Sequence, residues 1–164
     1  MLRASAGLLL QAAAGRSKPP YAATRRRPPM LDHMTLRVAD IGRTRAFYAA
    51  ALAPLGYTVR HEATHDGEQV LGLGCGDAID TWFVAGPSPW GGHPVSTGCH
   101  LAWRAADRAA VDAFHRAALA AGGRDNGGPG LRPHYHPNYY GAFVIDPDGN
   151  NVEAVCHDPA PGAP

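Results

Sequence analysis

Polar and apolar residues alternate from 32 to 38. His33, Thr35 and Arg37 fall on one face, and Met34, Leu36 and Val38 on the other. A period of two with one apolar face predicts a strand that buries one side. Asp40 then stands where a helix N-cap belongs, and Phe47, Ala50, Ala51 and Leu55 supply the buried stripe of a helix over 42–53. Pro54-Leu55-Gly56 stops it. Strands are predicted over 57–62 and 69–73, around an Asp66-Gly67 turn signal, and over 79–85 after a Gly74-Cys75-Gly76 break. The order is β-α-β-β-β.

The pattern then returns. Residues 100–123 lie without a gap on residues 33–56 at a constant offset of 67, with eleven of the 24 positions identical. Five identities are Ala and carry little weight in an Ala-rich chain. The others are His33/His100, Arg37/Arg104, Asp40/Asp107, Phe47/Phe114, Leu52/Leu119 and Gly56/Gly123. An internal repeat sets architecture; two copies make a duplicated module. The second copy predicts a strand over 100–105, a helix from Asp107 to about residue 121, and a short Gly-rich strand within 124–133. Strands over 139–145 and 151–156 follow, joined by a tight Asp146-Pro147-Asp148-Gly149 turn. Residues 86–97 form a Gly/Pro connector and 159–164 a frayed tail. The class is α+β. Helices cover the apolar strand faces, so the faces carrying His, Arg and Thr are expected to meet in a concavity.

Length and composition narrow this. At 164 residues, 45% hydrophobic and 18% charged, the chain is one ordinary globular domain. Residues 1–30 carry six bases and no acid, which leaves nine bases against 14 acids, a net of −5, in the rest. A mildly acidic domain argues against a nucleic-acid or membrane-surface partner, and no apolar run approaches the ~18 residues of a span. The basic, Ala/Ser/Pro-rich start reads either as an organellar transit peptide or as a translation start placed too far upstream, with Met30 the true beginning. It is expected to be disordered. Localisation follows as cytoplasmic, or mitochondrial or otherwise organellar if the leader is real. Cys75, Cys99 and Cys156 read as reduced thiols.

The candidate chemistry sits on the polar faces. His33 and His100 hold equivalent positions in the two copies. Glu153 interrupts an apolar strand, where a carboxylate is costly unless paired or bound to a cation. Two imidazoles and a carboxylate make a workable divalent site, for which Fe, Mn, Zn, Ni and Co are not distinguished. The plainer reading pairs Glu153 with Arg37 or Arg104. The loop 134–140, HYHPNYY, offers His134, His136, Asn138, Tyr139 and Tyr140 to a substrate, or is a rigid surface loop. Trp82 and Trp90 either line the same pocket or belong to the core.

The stretches DHMTLRVADIGRTRAFYAAALAPLGY, GCHLAWRAADRAAVDAFH and AFVIDPDGNNVEAVCH, within 31–157, resemble the vicinal oxygen chelate superfamily. That superfamily includes glyoxalase I, bleomycin-resistance proteins, methylmalonyl-CoA epimerase and extradiol dioxygenases. The resemblance implies a single domain over 31–158. Its modules, about 31–86 and 98–158, would form a cup-shaped eight-stranded mixed sheet with the helices on the convex side. It implies a metal at His33, His100 and Glu153, with the fourth ligand of the glyoxalase-like members falling nearest Asp80 or Thr81. Glu153 or Asp80 would move the proton, and Arg37, Trp82, Arg104 and the 134–140 loop would contact a small substrate with adjacent oxygens. A homodimer is implied as well. Three functions follow: a glyoxalase-like lyase or isomerase, slightly preferred; an Fe(II) dioxygenase; or a metal-free binding protein of the bleomycin-resistance kind. The last has no use for the His33, His100 and Glu153 trio.

Overall fold

Both halves build the strands and helix that their periodicity predicts. In the first, β1 (Met34–Val38) leads to α1 (Ile41–Ala51), then β2 (Thr58–His65), β3 (Glu68–Gly74) and β4 (Thr81–Ala85). In the second, β5 (His100–Arg104) leads to α2 (Arg108–Ala120), then β6 (Arg124–Leu131), β7 (Tyr140–Ile145) and β8 (Asn151–Cys156). The structure, a computed structural model, describes residues 31–86, 88, 91–92, 95–160 and 162. The leader at 1–30 and Trp90 lie outside the described residues. Among those described, no helix is long and apolar enough to cross a membrane.

The eight strands form two four-stranded sheets, ordered β1-β4-β3-β2 and β5-β8-β7-β6, in place of one continuous sheet. In each, the first and last strands of the module run parallel and the other neighbours antiparallel. Parallel pairing of β1 with β4 and of β5 with β8 puts the leading and closing segments of each module side by side.

Local chemistry starts and stops these elements as read. Asp40 accepts from the Arg43 amide at 2.9 Å and Asp107 from the Ala110 amide at 2.8 Å, so both helices have a side-chain N-cap. Asp66 and Gly67, with φ of 51° and 85°, give the β2–β3 hairpin the doubly left-handed turn that matches strand twist. One expectation was too short: β6 runs for eight residues. Its glycines make room for neighbours. A Cβ on Gly127 would come 3.2 Å from the Phe143 ring, and one on Gly130 2.9 Å from the Arg132 guanidinium, whose Nη2 donates to the Gly128 carbonyl.

The helix-covered faces of the two sheets share one apolar core. Leu36, Phe47, Tyr48 and Phe83 from the first module belong to the same buried cluster as Trp103, Phe114, Val144 and Val152 from the second. The Tyr48 ring packs on Phe83 at 4.4 Å and reaches Trp103 at 6.1 Å. Its hydroxyl donates to Asp146 Oδ2 at 2.7 Å. Asp146 also accepts from the Asp148 and Asn150 amides and from Asn150 Nδ2, and Asn150 in turn donates to the Ser96 carbonyl. The predicted turn at 146–149 is thus also a polar lock between modules. A buried carboxylate in such a place needs that many donors.

Candidate metal and substrate site

On β5, His100, Ala102 and Arg104 are exposed while Trp103 is buried, so the predicted polar face is the open one. β8 is an inner strand, and its register sets Ala102 beside Glu153. Glu153 is 1% exposed. Its Oε2 lies 3.2 Å from His100 Nε2, and its Oε1 accepts from the Tyr139 hydroxyl at 2.6 Å. Burial, and then the bond to Glu153, push the Tyr139 hydroxyl well above its ordinary pKa, so it stays a donor. Of the two arginines offered as its partner, Arg37 donates through Nη1 to Glu68 at 2.7 Å and Arg104 is exposed on β5, while Glu153 meets His100 and Tyr139.

The His100 and Glu153 pair fits a divalent ion. Two ligands bound at about 2.1 Å with angles between square and tetrahedral stand roughly 3.0–3.4 Å apart, and the observed separation is 3.2 Å. The far nitrogen of the ring is equally prepared. His100 Nδ1 lies 3.2 Å from the Asn151 carbonyl oxygen and 2.9 Å from its side-chain amide. With the proton on Nδ1, the carbonyl accepts it, and Nε2 turns a lone pair toward the carboxyl group, an arrangement that a cation, or a proton on the carboxyl group, between them reconciles. With the proton on Nε2, that N–H faces Glu153 and the Asn151 amide donates to Nδ1. The side chains present therefore suit the pair both with an ion and without one.

His33 stands apart. It pairs with Asp32 at 2.8 Å and its side chain is 55% exposed, much as His100 is at 52%. Among the described residues no three His, Cys, Asp or Glu side chains group to hold one ion. One chain thus brings two of the three expected ligands together, His100 and Glu153, and leaves the third, His33, elsewhere.

Register also decides what stands opposite Glu153 in the first module. β1 aligns Thr35 with Trp82, as β5 aligns Ala102 with Glu153, so Trp82 is the counterpart of Glu153, in place of the expected Asp80 or Thr81. The swap is compensated on the next strand. Gly72 faces Trp82 where Phe143 faces Glu153, and a Cβ on Gly72 would come 2.8 Å from the indole. His61 meets the edge of that indole at 5.4 Å. Asp80 has both oxygens engaged, Oδ2 by the Tyr57 hydroxyl at 2.8 Å and Oδ1 by Thr81 at 2.9 Å. It lines a crevice of about 150 Å³ with Asp32, Met34 and Ala102 that includes neither His100 nor Glu153.

The 134–140 loop divides. Tyr139 joins Glu153, while His134 packs on Tyr135 at 4.2 Å and His136 faces His157 at 6.0 Å. The Asn138 amide donates to His136 Nδ1. Tyr140 corrects its expected substrate role: its hydroxyl donates to Asp112 of α2 at 2.8 Å, with Arg108 over its ring, so it faces the helix.

Comparison with known proteins agrees with this architecture. The family profile described as the Glyoxalase/Bleomycin resistance protein/Dioxygenase superfamily matches residues 30–154. The chain belongs to this superfamily. Among solved structures of the superfamily, a glyoxalase/bleomycin resistance protein from Albidiferax ferrireducens T118 is 28% identical, with a TM-score of 0.59 over 79% of this chain and 100% of that one. A glyoxalase/bleomycin resistance/dioxygenase domain from Frankia sp. EAN1pec shares the fold at 14% identity, TM-score 0.60, over 80% of this chain and all of that chain. Glyoxalase I from Zea mays does so at 20% identity and TM-score 0.56, over 76% of this chain and 43% of that one. No curated protein matches.

Sequence reasoning placed Tyr139 near the site but missed its bond to Glu153, and it missed Asn151, Gly141 and His61 altogether. Trp82 was a candidate without its meaning. The offset between the copies changes from 67 at β1/β5 to 71 at β4/β8, and over 78–85 against 149–156 only Val84/Val155 is identical.

Proposed function

We propose that the protein is a metal-dependent enzyme acting on a small molecule with adjacent oxygens, by glyoxalase-like lyase or isomerase chemistry. We further propose that its site is completed between two copies of the chain. His100 and Glu153 of one copy and His33 of the other would hold the ion. The observation that carries the reading is a buried carboxylate 3.2 Å from a half-exposed imidazole on an open sheet face. Such a carboxylate is retained at a cost in stability, which a cation offsets. The exposure of His33 supports its donation to a neighbouring copy, since no group of three ligands includes it among the described residues. A bound divalent ion supplies Lewis acidity to the substrate oxygens. Glu153 Oε2 is the atom placed to take and return a proton beside it, with Asn151 orienting the His100 ring. Arg104 and Trp82 are the residues whose open-face positions suit substrate contact.

The test is metal content of protein purified without a His-tag and incubated with Mn, Fe, Co, Ni or Zn. About one ion per chain is expected, lost in His100→Ala and Glu153→Ala and kept in His115→Ala. Absence of ion, with no change in thermal midpoint on adding divalent metals, sinks the enzyme reading and leaves the metal-free binding protein, with Trp82 as its wall.

A second reading, an Fe(II) dioxygenase, is favoured by one observation. Trp82 stands where a second carboxylate would, which leaves two imidazoles and one carboxylate. Oxygen uptake by the iron-loaded protein on catechols would select it.

A further inference from the structure

We infer that Tyr139 is the positioning residue of Glu153, holding one oxygen of the carboxylate so that only the other is offered to an ion or a substrate proton. This rests on the metal-site reading above and deepens it.

The bond itself is short, 2.6 Å from the Tyr139 hydroxyl to Glu153 Oε1, and it spans two strands of the sheet. Tyr139 precedes β7, whose Phe143 pairs with Glu153 and whose Gly141 pairs with Val155. The hydroxyl therefore reaches Oε1 across Gly141. A Cβ there would lie 2.8 Å from Oε1 and 3.2 Å from the Tyr139 ring. No other residue leaves that path open. The phenol is braced as well: the Tyr135 ring meets it at 5.1 Å and 72°, and the His157 ring at 5.1 Å and 85°. A tyrosine fixed by two ring contacts, over a strand position bare of side chain, is built to keep its hydroxyl in one place.

The consequence falls on the carboxylate. With Oε1 held toward the Tyr139 hydroxyl, Glu153 presents Oε2, 3.2 Å from His100 Nε2, as the oxygen for an ion. Outer-shell partners of this kind fix ligand orientation and raise affinity. The loop that carries Tyr139 was legible in sequence as a cluster of polar rings, and this assigns the cluster a task at the ligand in place of direct substrate contact.

The test uses the full-length chain and Co(II) alone as probe, with affinity and the visible absorption band as separate readouts. Tyr139→Phe keeps the ring and its two braces. It is expected to weaken Co(II) binding by ~10–100-fold and to lower the band intensity, as the freed carboxylate binds through both oxygens and coordination number rises. Gly141→Ala is expected to move both readouts the same way, and Tyr135→Phe neither. The thermal midpoint of ion-free Tyr139→Phe should stay near that of the wild type. A Tyr139→Phe protein with wild-type affinity overturns the inference, and so does one that loses affinity with an unchanged band, since Tyr139 then serves the fold alone. Wild-type protein that binds no Co(II) overturns the metal reading and this inference together. Binding by the wild type with no effect of the variant overturns this inference only.

Discussion

Glu153 is the buried carboxylate to which the proposed function assigns an ion. Taking its charge away while keeping its shape should separate its part in stability from its part in binding. Glu153→Gln is expected to lose divalent metal affinity by more than the ~10–100-fold typical of outer-shell changes, while its ion-free thermal midpoint stays level or rises, because a buried carboxylate is costly to keep charged. A large fall in that midpoint would count against the assignment. Gly74 offers a second residue-scale prediction. A Cβ there would sit 1.8 Å from the Ala78 carbonyl oxygen, a contact with backbone that no rotamer relieves. Gly74→Ala should cost about 2–4 kcal/mol in urea denaturation. A third concerns pH. The bond from His115, then that from the Gly127 amide, holds the Asp125 carboxyl below its ordinary value of 3.8. A carboxylate with a depressed folded pKa stabilises above its unfolded value, and that contribution disappears as pH falls through the folded one. Wild type should therefore exceed Asp125→Asn in urea midpoint at about pH 6, with the gap closing by about pH 2. A gap independent of pH would refute the pairing.

Elements are set by short-range chemistry that the sequence displays. Alternation, N-cap aspartates and the Asp66-Gly67 turn act within a few residues, so strands, helices and the duplicated order were legible from residue types alone. Asp40→Ala and Asp107→Ala should each lose about 1 kcal/mol, measured by chemical denaturation, as one orphan amide per helix returns to water. The junction of the modules was not legible. Tyr48 reads as one more helix-stripe aromatic, and Asp146 as a turn former, until their bond at 2.7 Å joins residues 98 positions apart. Tyr48→Phe is expected to cost about 1.5–3 kcal/mol, as a hydrogen bond to a charged group is lost. Asp146→Ala should cost more, about 3–5 kcal/mol, because the tyrosine hydroxyl and the backbone amides of Asp148 and Asn150 lose their acceptor together. The reverse order would mean that the lock does not join the modules.

At the scale of the molecule, the decisive fact is that the helix-covered faces meet in one core while His33 remains apart from His100 and Glu153. A site shared between copies makes a prediction that no single-chain site makes. Neither His33→Ala nor Glu153→Ala alone should bind metal. Unfolded together and refolded, the two should recover about one quarter of wild-type sites, since half the dimers are mixed and each mixed dimer has one intact site of two. Recovery of none would show that the three ligands come from one chain.

From residue order alone came the duplicated β-α-β-β-β modules, the polar and apolar strand faces, and His33, His100 and Glu153 as the candidates. Those follow from periods of two and 3.6 and from the cost of a carboxylate in an apolar strand, and both are visible locally. Three-dimensional packing settled three things. It divided the strands into two sheets, gave Glu153 to His100 and Tyr139, and placed Trp82 at the counterpart of Glu153. The reason is register. Which residue stands beside which depends on how far one strand slides along another, and a two-residue slide on the same face leaves the hydrophobic pattern intact while changing a carboxylate into an indole.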